Sequence, residues 1–261
     1  MLRLWFRSAL LLALLAAGLV IALVLTFDWR ERLPRDRIAQ RWHRLLLAAF
    51  GIRIRTHGAA SVEPHVTVAN HVSWLDIPVI GALQPTRFVA KSEVRYWPVA
   101  GQLANAAGTF YIRRGQGGSR PLLRRLVPYL RGSGSVTIFP EGTTTDGRSV
   151  RTFHPRLLAA ATETGCRVQP VALRYSPSPG GKDLAPFIGD DDLVSHIVRL
   201  LKAPGLTVEV TFCPLLPSID HDRDELAFAA EQSIRRVIEG PAGARPLPSK
   251  PPARLRPRLA A

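Results

Sequence analysis

The sequence predicts an α/β domain with a largely parallel central sheet flanked by helices, preceded by an N-terminal membrane-anchoring helix pair. Three observations predict it. From Ile52 onward, short β-branched runs alternate with longer helical ones, as in chains of crossover-linked parallel strands. Ahead of that alternation, residues 8–27 (SALLLALLAAGLVIALVLTF) are 20 residues without a charge. Several strand-like runs are followed at once by polar and charged residues, and the carboxyl ends of strands are where open α/β sheets build sites.

Taken in order, residues 8–27 would span roughly 30 Å as a helix, the thickness of a bilayer core. The run closes on Val-Leu-Thr-Phe and not on a small-x-small site, which favours an uncleaved anchor over a signal peptide. Arg30, Arg32, Arg35, Arg37, Arg41 and Arg44 follow it and only Arg3 and Arg7 precede it. By the positive-inside rule the rest of the chain faces the cytoplasm, at the inner membrane of a cell. Pro34 marks the start of a second helix, residues 35–50, with Ile38, Trp42, Leu45, Leu46 and Ala49 on one face and arginines elsewhere. An amphipathic, arginine-bearing helix at this place is expected to lie in the membrane interface.

Residues 52–56 alternate apolar and polar, as an edge strand does, and residues 66–69 (Val-Thr-Val-Ala) read as a buried strand. A helix is expected from Ser73 to about Gln84, because Ser73 and Asp76 have capping-box spacing. Strands follow at 87–91, 109–113, 136–139, 168–173 and 207–212. Helices follow at 98–107 (stopped by Gly108), 121–131, 156–164 (closed by Gly165), 193–202 and 223–239. Residues 240–261 are rich in Pro, Arg and Ala without an acid and read as a disordered basic tail. The division is therefore 1–50 anchor, 51–239 α/β domain and 240–261 tail.

The 261 residues carry 35 Lys+Arg against 20 Asp+Glu, a net charge of +15. Such a surface attracts polyanions: anionic lipid, phosphorylated substrates or nucleic acid. A protein that only bound nucleic acid would have no use for residues 8–27. The two cysteines, Cys166 and Cys213, make neither a disulfide framework nor a zinc site, and no metal is implied.

The organising stretch is Asn70-His71-Val72-Ser73-Trp74-Leu75-Asp76, a strand-to-helix loop. An acid on the first helical turn can reach back to His71, hold one ring nitrogen and leave the other free as a base. Two further strand ends carry Arg113-Arg114 and Pro140-Glu141-Gly142-Thr143-Thr144. Convergence of a His, an Asp, arginines and a Glu-Gly-Thr loop is the expectation. A serine hydrolase is disfavoured, since no G-x-S-x-G elbow is present.

These residues resemble the glycerolipid acyltransferase family, the group containing the bacterial 1-acylglycerol-3-phosphate acyltransferases. The likeness covers roughly residues 50–215 and the helices before them. Its N-H-x-S-x-x-D motif appears at 70–76, and its G-x-x-F-I-x-R motif at 108–114 with Tyr111 in place of Phe. F-P-E-G-T stands at 139–143 and V-x-P-V-A at 168–172. The resemblance implies a membrane-bound O-acyltransferase of phospholipid or related lipid metabolism, with a lysolipid as acceptor. Acyl-CoA or acyl-ACP would be the co-substrate, with no other cofactor. It implies His71 as base and Asp76 as its partner. Arg113, Arg114, Glu141, Gly142 and Thr143 would be acceptor-binding, with Asn70, Ser73 and Lys91 in support. The partners implied are the lipid bilayer and coenzyme A or acyl carrier protein, with no nucleic acid. One departure bears on the acceptor. Enzymes acting on lysophosphatidic acid usually continue F-P-E-G-T with Arg, and here that position is Thr144. The reading ranks 1-acyl-sn-glycerol-3-phosphate first as the commoner acceptor in the family and lyso-ornithine lipid second. A non-catalytic protein binding anionic lipid or nucleic acid is a remote third.

Overall fold

A computed structural model describes residues 2–28, 30, 32–113, 119–177, 181 and 183–240. Arg114 and the tail beyond Gly240 lie outside the described residues. The strands are β1 (Ile52–His57), β2 (His65–Ala69), β3 (Arg87–Lys91), β4 (Phe110–Ile112), β5 (Val136–Ile138), β6 (Arg167–Ser176) and β7 (Leu206–Phe212). They form one sheet in the order β1-β7-β6-β2-β5-β3-β4. β2 to β6 run parallel. β7 pairs antiparallel with β6, and β1 pairs parallel with β7, so these two run against the rest. β1 is an edge strand, as its alternating pattern predicts.

The helices are α1 (Leu2–Phe27), α2 (Arg35–Phe50), α3 (Asp76–Leu83), α4 (Ala100–Ala106), α5 (Ser119–Arg131), α6 (Ala159–Thr164), α7 (Leu193–Lys202) and α8 (Arg223–Ile238). They cover both faces of the sheet. On one face Val66, Val68, Val136, Ile138 and Val168 pack against Leu122 and Leu126 of α5, Ala160 of α6 and Ala230 and Ile234 of α8. On the other, Val171, Leu173, Val208 and Val210 pack against Leu46, Leu47 and Phe50 of α2, Val79 and Ile80 of α3 and Leu200 of α7. Odd and even residues of β6 supply opposite cores, as strand geometry requires. All five residues of β2 are buried, including the polar Thr67, whose hydroxyl oxygen accepts from Gln84 Nε2 at 2.6 Å.

The structure corrects the expectation for the second helix. The face of α2 expected to meet a membrane is largely turned onto the protein, with Leu46 and Ala49 buried, Ile38 and Trp42 half-buried and only Leu45 left well exposed. Full burial contributes about 1.5–3 kcal/mol for each large side chain, so Leu46, Leu47 and Phe50 hold α2 to the domain by an amount comparable with a domain's whole stability. The seat is close: a Cβ on Gly81 of α3 would lie 2.1 Å from His43 Nδ1. Packing therefore runs unbroken through residue 50, where the sequence suggested a boundary.

α1 lies along the same side. Leu11, Gly18, Ala22 and Leu25 form its buried stripe. Near one end Arg7 Nη1 donates to Ala203 O at 2.7 Å. At mid-helix Trp42 Nε1 of α2 donates to Leu14 O at 3.2 Å. At the far end Arg35 Nη2 donates to Leu25 O at 2.9 Å. The opposite face, with Leu2, Trp5, Phe6, Leu12, Val20, Leu23 and Phe27, is exposed.

Candidate active site

β2 lies between β6 and β5, and this neighbourhood builds the site. Where β2 ends, the Asn70 side chain continues the ladder: Leu173 N donates to Asn70 Oδ1 at 2.8 Å, and Asn70 Nδ2 donates to Leu173 O at 3.0 Å. The next residue, His71, is thereby lifted off the sheet at a fixed point. Its ring lies flat on Phe139, with centroids 4.1 Å apart, and Phe139 in turn stacks over Phe88.

His71 Nδ1 lies 2.7 Å from Asp76 Oδ2. Asp76 opens α3 and has no exposed surface. Its Oδ2 also accepts from Val72 N at 2.7 Å and Ser73 N at 3.0 Å, and its Oδ1 accepts from the Tyr175 hydroxyl at 2.8 Å. Each of these contacts uses Asp76 as an acceptor, the role a carboxylate has. It can only accept from Nδ1, so the imidazole carries its proton there and its Nε2 lone pair is available. Among the described residues Nε2 has no hydrogen-bond partner, and the side chain keeps 19% of its surface exposed. The arrangement can take a proton from a hydroxyl and stabilise the imidazolium that results.

Ser73 departs from expectation. The helix begins at Asp76 with Leu75 at its N-cap, and no side chain caps it. Ser73 Oγ is buried without a partner among the described residues. Only the reciprocal half of a capping box forms, from Asp76 back to Ser73 N; the Asp76 N–H that the hydroxyl would have capped donates to Ser73 O at 3.1 Å.

β5 beside β2 brings the Phe139–Thr145 loop against the His71 loop. Glu141 is buried: its Oε1 accepts from His71 N at 3.0 Å and its Oε2 from Arg151 N at 3.3 Å. Burial pushes its carboxyl up to about 7 against the pull of those two N–H donors. Glu141 thus shapes the site by tying two loops together, with both oxygens turned to backbone. Gly142 has φ +70°, a left-handed conformation that glycine adopts without strain, and Thr143 beside it is half-buried. The Thr144 hydroxyl donates to Phe187 O, and Phe187 N donates to Val72 O at 3.0 Å, so a strap at residues 184–188 crosses both loops. Trp74 Nε1 donates to His196 Nδ1 at 2.8 Å, and burial above all lowers the His196 pKa, which keeps it the neutral acceptor that bond needs.

The other expected residues stand further off. Lys91 and Arg113 are exposed at the ends of β3 and β4. β5 and β3 separate β4 from β2, so Arg113 starts three strand spacings from His71, roughly 14 Å. Phe139, Arg151 and Tyr175 were missed by sequence reasoning. Phe139 stood inside a quoted motif; Tyr175, 99 residues beyond Asp76, gave no sequence signal.

Comparison with known proteins agrees with this geometry. Residues 52–174 match the family described as Acyltransferase. The chain is 48% identical over 248 residues to the lyso-ornithine lipid O-acyltransferase of Pseudomonas aeruginosa, covering 92% of this chain and 95% of that one. It is 34% identical to the 1-acyl-sn-glycerol-3-phosphate acyltransferase of Neisseria meningitidis serogroup B, covering 78% and 82%. The crystal structure of the 1-acyl-sn-glycerophosphate acyltransferase PlsC from Thermotoga maritima shares the fold, with a TM-score of 0.67 at 21% identity over 91% of this chain and 92% of that one. With the His-Asp pair, the loops around it and relatives matched along nearly the whole chain, the protein belongs to the acyltransferase family and is an acyltransferase.

Proposed function

We propose that the acceptor is lyso-ornithine lipid, in place of the 1-acyl-sn-glycerol-3-phosphate that the sequence ranked first. The observation that carries this reading is the 48% identity along the whole chain to an enzyme named for that acceptor, against 34% for the glycerophosphate enzyme. Thr144 supports it. The usual phosphate-pairing arginine is replaced by a side chain spent on Phe187 O. An acceptor built on ornithine presents no phosphate for such an arginine to hold.

In the proposed reaction His71 Nε2 removes the proton of the lipid hydroxyl as that oxygen attacks the thioester carbonyl carbon. The C–O bond forms, the C–S bond breaks, and the imidazolium returns its proton to the departing thiolate. Asp76 holds Nδ1–H throughout. The donor is an acyl thioester of coenzyme A or acyl carrier protein, both anionic and suited to a chain of charge +15. Arg113, at the far edge of the sheet, would meet acceptor or donor anions.

The proposed location is the cytoplasmic face of the inner membrane. α1 is long and apolar enough to cross a bilayer. Yet it touches the domain near both ends, so a perpendicular crossing would drag α2, α4 and α7 into the hydrocarbon. A shallow in-plane seat, exposed face in lipid, suits these contacts better.

The test is a side-by-side assay of purified protein with lyso-ornithine lipid and 1-acyl-sn-glycerol-3-phosphate, each with acyl-CoA and acyl-ACP. A kcat/KM at least tenfold higher for lyso-ornithine lipid is expected, and loss of turnover in His71→Ala. A preference for the glycerophosphate would overturn the acceptor assignment.

A further inference from the structure

The geometry points to Tyr175 as a positioning residue for the acyl transfer, its hydroxyl fixing the carboxylate that holds the base. The inference rests on the reaction proposed above and adds a third member to its His-Asp pair. Tyr175 sits near the end of β6, opposite Val208 of β7 in the ladder, so its backbone is part of the rigid sheet. It shares strand parity with Val171 and Leu173 and packs on the same core as α3. From there its hydroxyl donates to Asp76 Oδ1 at 2.8 Å.

The two oxygens of Asp76 are unequally served. Oδ2 takes His71 Nδ1, Val72 N and Ser73 N, all from the loop that the carboxylate itself organises. Oδ1 takes Tyr175 alone among the described residues, and that bond comes from a different element. The loop bonds place the carboxylate relative to His71; the Tyr175 bond places both relative to the sheet. It also serves an anion with no exposed surface, where an oxygen without a donor is costly. Burial and the adjacent Asp76 charge hold the phenol well above its ordinary pKa, so it remains a donor at every working pH.

Removing the hydroxyl leaves Oδ1 bare. The pair then resists its deprotonated, net-negative state more strongly, so the acid limb of the rate profile moves to higher pH. The pair also loses its tie to the sheet, which misaligns Nε2 with the attacking oxygen without altering either substrate's contacts.

The experiment compares full-length native protein, Tyr175→Phe and Tyr175→Leu in detergent micelles. Tyr175→Phe is expected to lower kcat by roughly tenfold, leave KM for acceptor and thioester within twofold, and move the acid limb of kcat upward. A second readout needs no turnover: the downfield proton resonance of the His71 Nδ1–H bond, followed by NMR with labelled histidine, shifts in Tyr175→Phe. If kcat, acid limb and resonance all stay native in Tyr175→Phe, while only Tyr175→Leu loses activity, Tyr175 is a packing residue and the proposal fails. If native protein acylates neither lipid, the function assigned above fails, and the resonance alone still decides whether Tyr175 holds the pair.

Discussion

Replacing Asp76 with asparagine separates the charge of the carboxylate from its geometry. The amide has one acceptor and one donor end. Three donors converge on Oδ2 (His71 Nδ1, Val72 N and Ser73 N), so the amide oxygen must face them; the reverse orientation would set an NH2 against two backbone N–H groups. The NH2 then meets the Tyr175 hydroxyl, which can rotate to accept. Asp76→Asn therefore keeps the fold and the His71 tautomer and loses only the negative charge. With Nδ1 at 2.7 Å from Oδ2, the charge centres of imidazolium and carboxylate lie about 4 Å apart. At an effective dielectric near 20, that attraction is about 4 kcal/mol, or roughly a thousandfold in kcat. The assay is release of free thiol from the acyl thioester with lyso-ornithine lipid in mixed micelles. KM should hold within twofold and the melting temperature within a few degrees. A folded Asp76→Asn protein that keeps more than a tenth of native kcat would refute the idea that the carboxylate stabilises a charged imidazole during the reaction.

Three other consequences are measurable. Glu141 is raised by burial from its ordinary 4.5 to about 7. The folded state therefore keeps a proton that the unfolded chain has released, and Glu141 lowers stability as pH rises through that window, by about 3 kcal/mol in all. Buried His43, lowered to about 4, acts in the opposite sense between there and its ordinary 6.5. The net slope of native protein is thus muted. Unfolding of Glu141→Gln compared with native at pH 5 and pH 7.5 should show the variant gaining relative stability at the higher pH; a pH-independent difference would contradict the assignment. For the membrane seat, Trp5, Phe6, Leu12 and Leu23 changed together to serine should weaken sedimentation with anionic vesicles while leaving the protein folded, since all four are exposed. Deleting residues 1–50 should give aggregated protein and no clean soluble domain, because Leu46, Leu47 and Phe50 leave the core with it.

The sequence by itself determined the class of the fold and the contact between His71 and Asp76. Strand and helix periods are local properties of the chain, so β2, β6, α7 and α8 could be read from apolar spacing, and α7 falls on the predicted residues. His71 and Asp76 are five positions apart across one strand-to-helix turn, and so short a connection leaves few ways for them to sit. Where reading stayed local but two interactions competed, it went astray. Ser73 and Asp76 have the spacing of a cap, but the Asp76 N–H goes to the Ser73 carbonyl and not to its hydroxyl. The apolar face of α2 is the same whether lipid or α3 covers it, and only its packing against α3 and the sheet decides between them.

Everything that depends on strand order belongs to the tertiary structure alone. The insertion of β5 beside β2 sets Glu141 and Phe139 against His71, and the same order leaves Arg113 three strands away. The reversal of β7 against β6, the strap from Phe187 to Val72, and Tyr175 on the far side of Asp76 are likewise unreadable from the chain. Contacts between residues 70 or 100 positions apart are chosen by which faces exclude water together. No local pattern carries that information, because each partner would look the same in its own stretch of sequence whichever strand lay next to it.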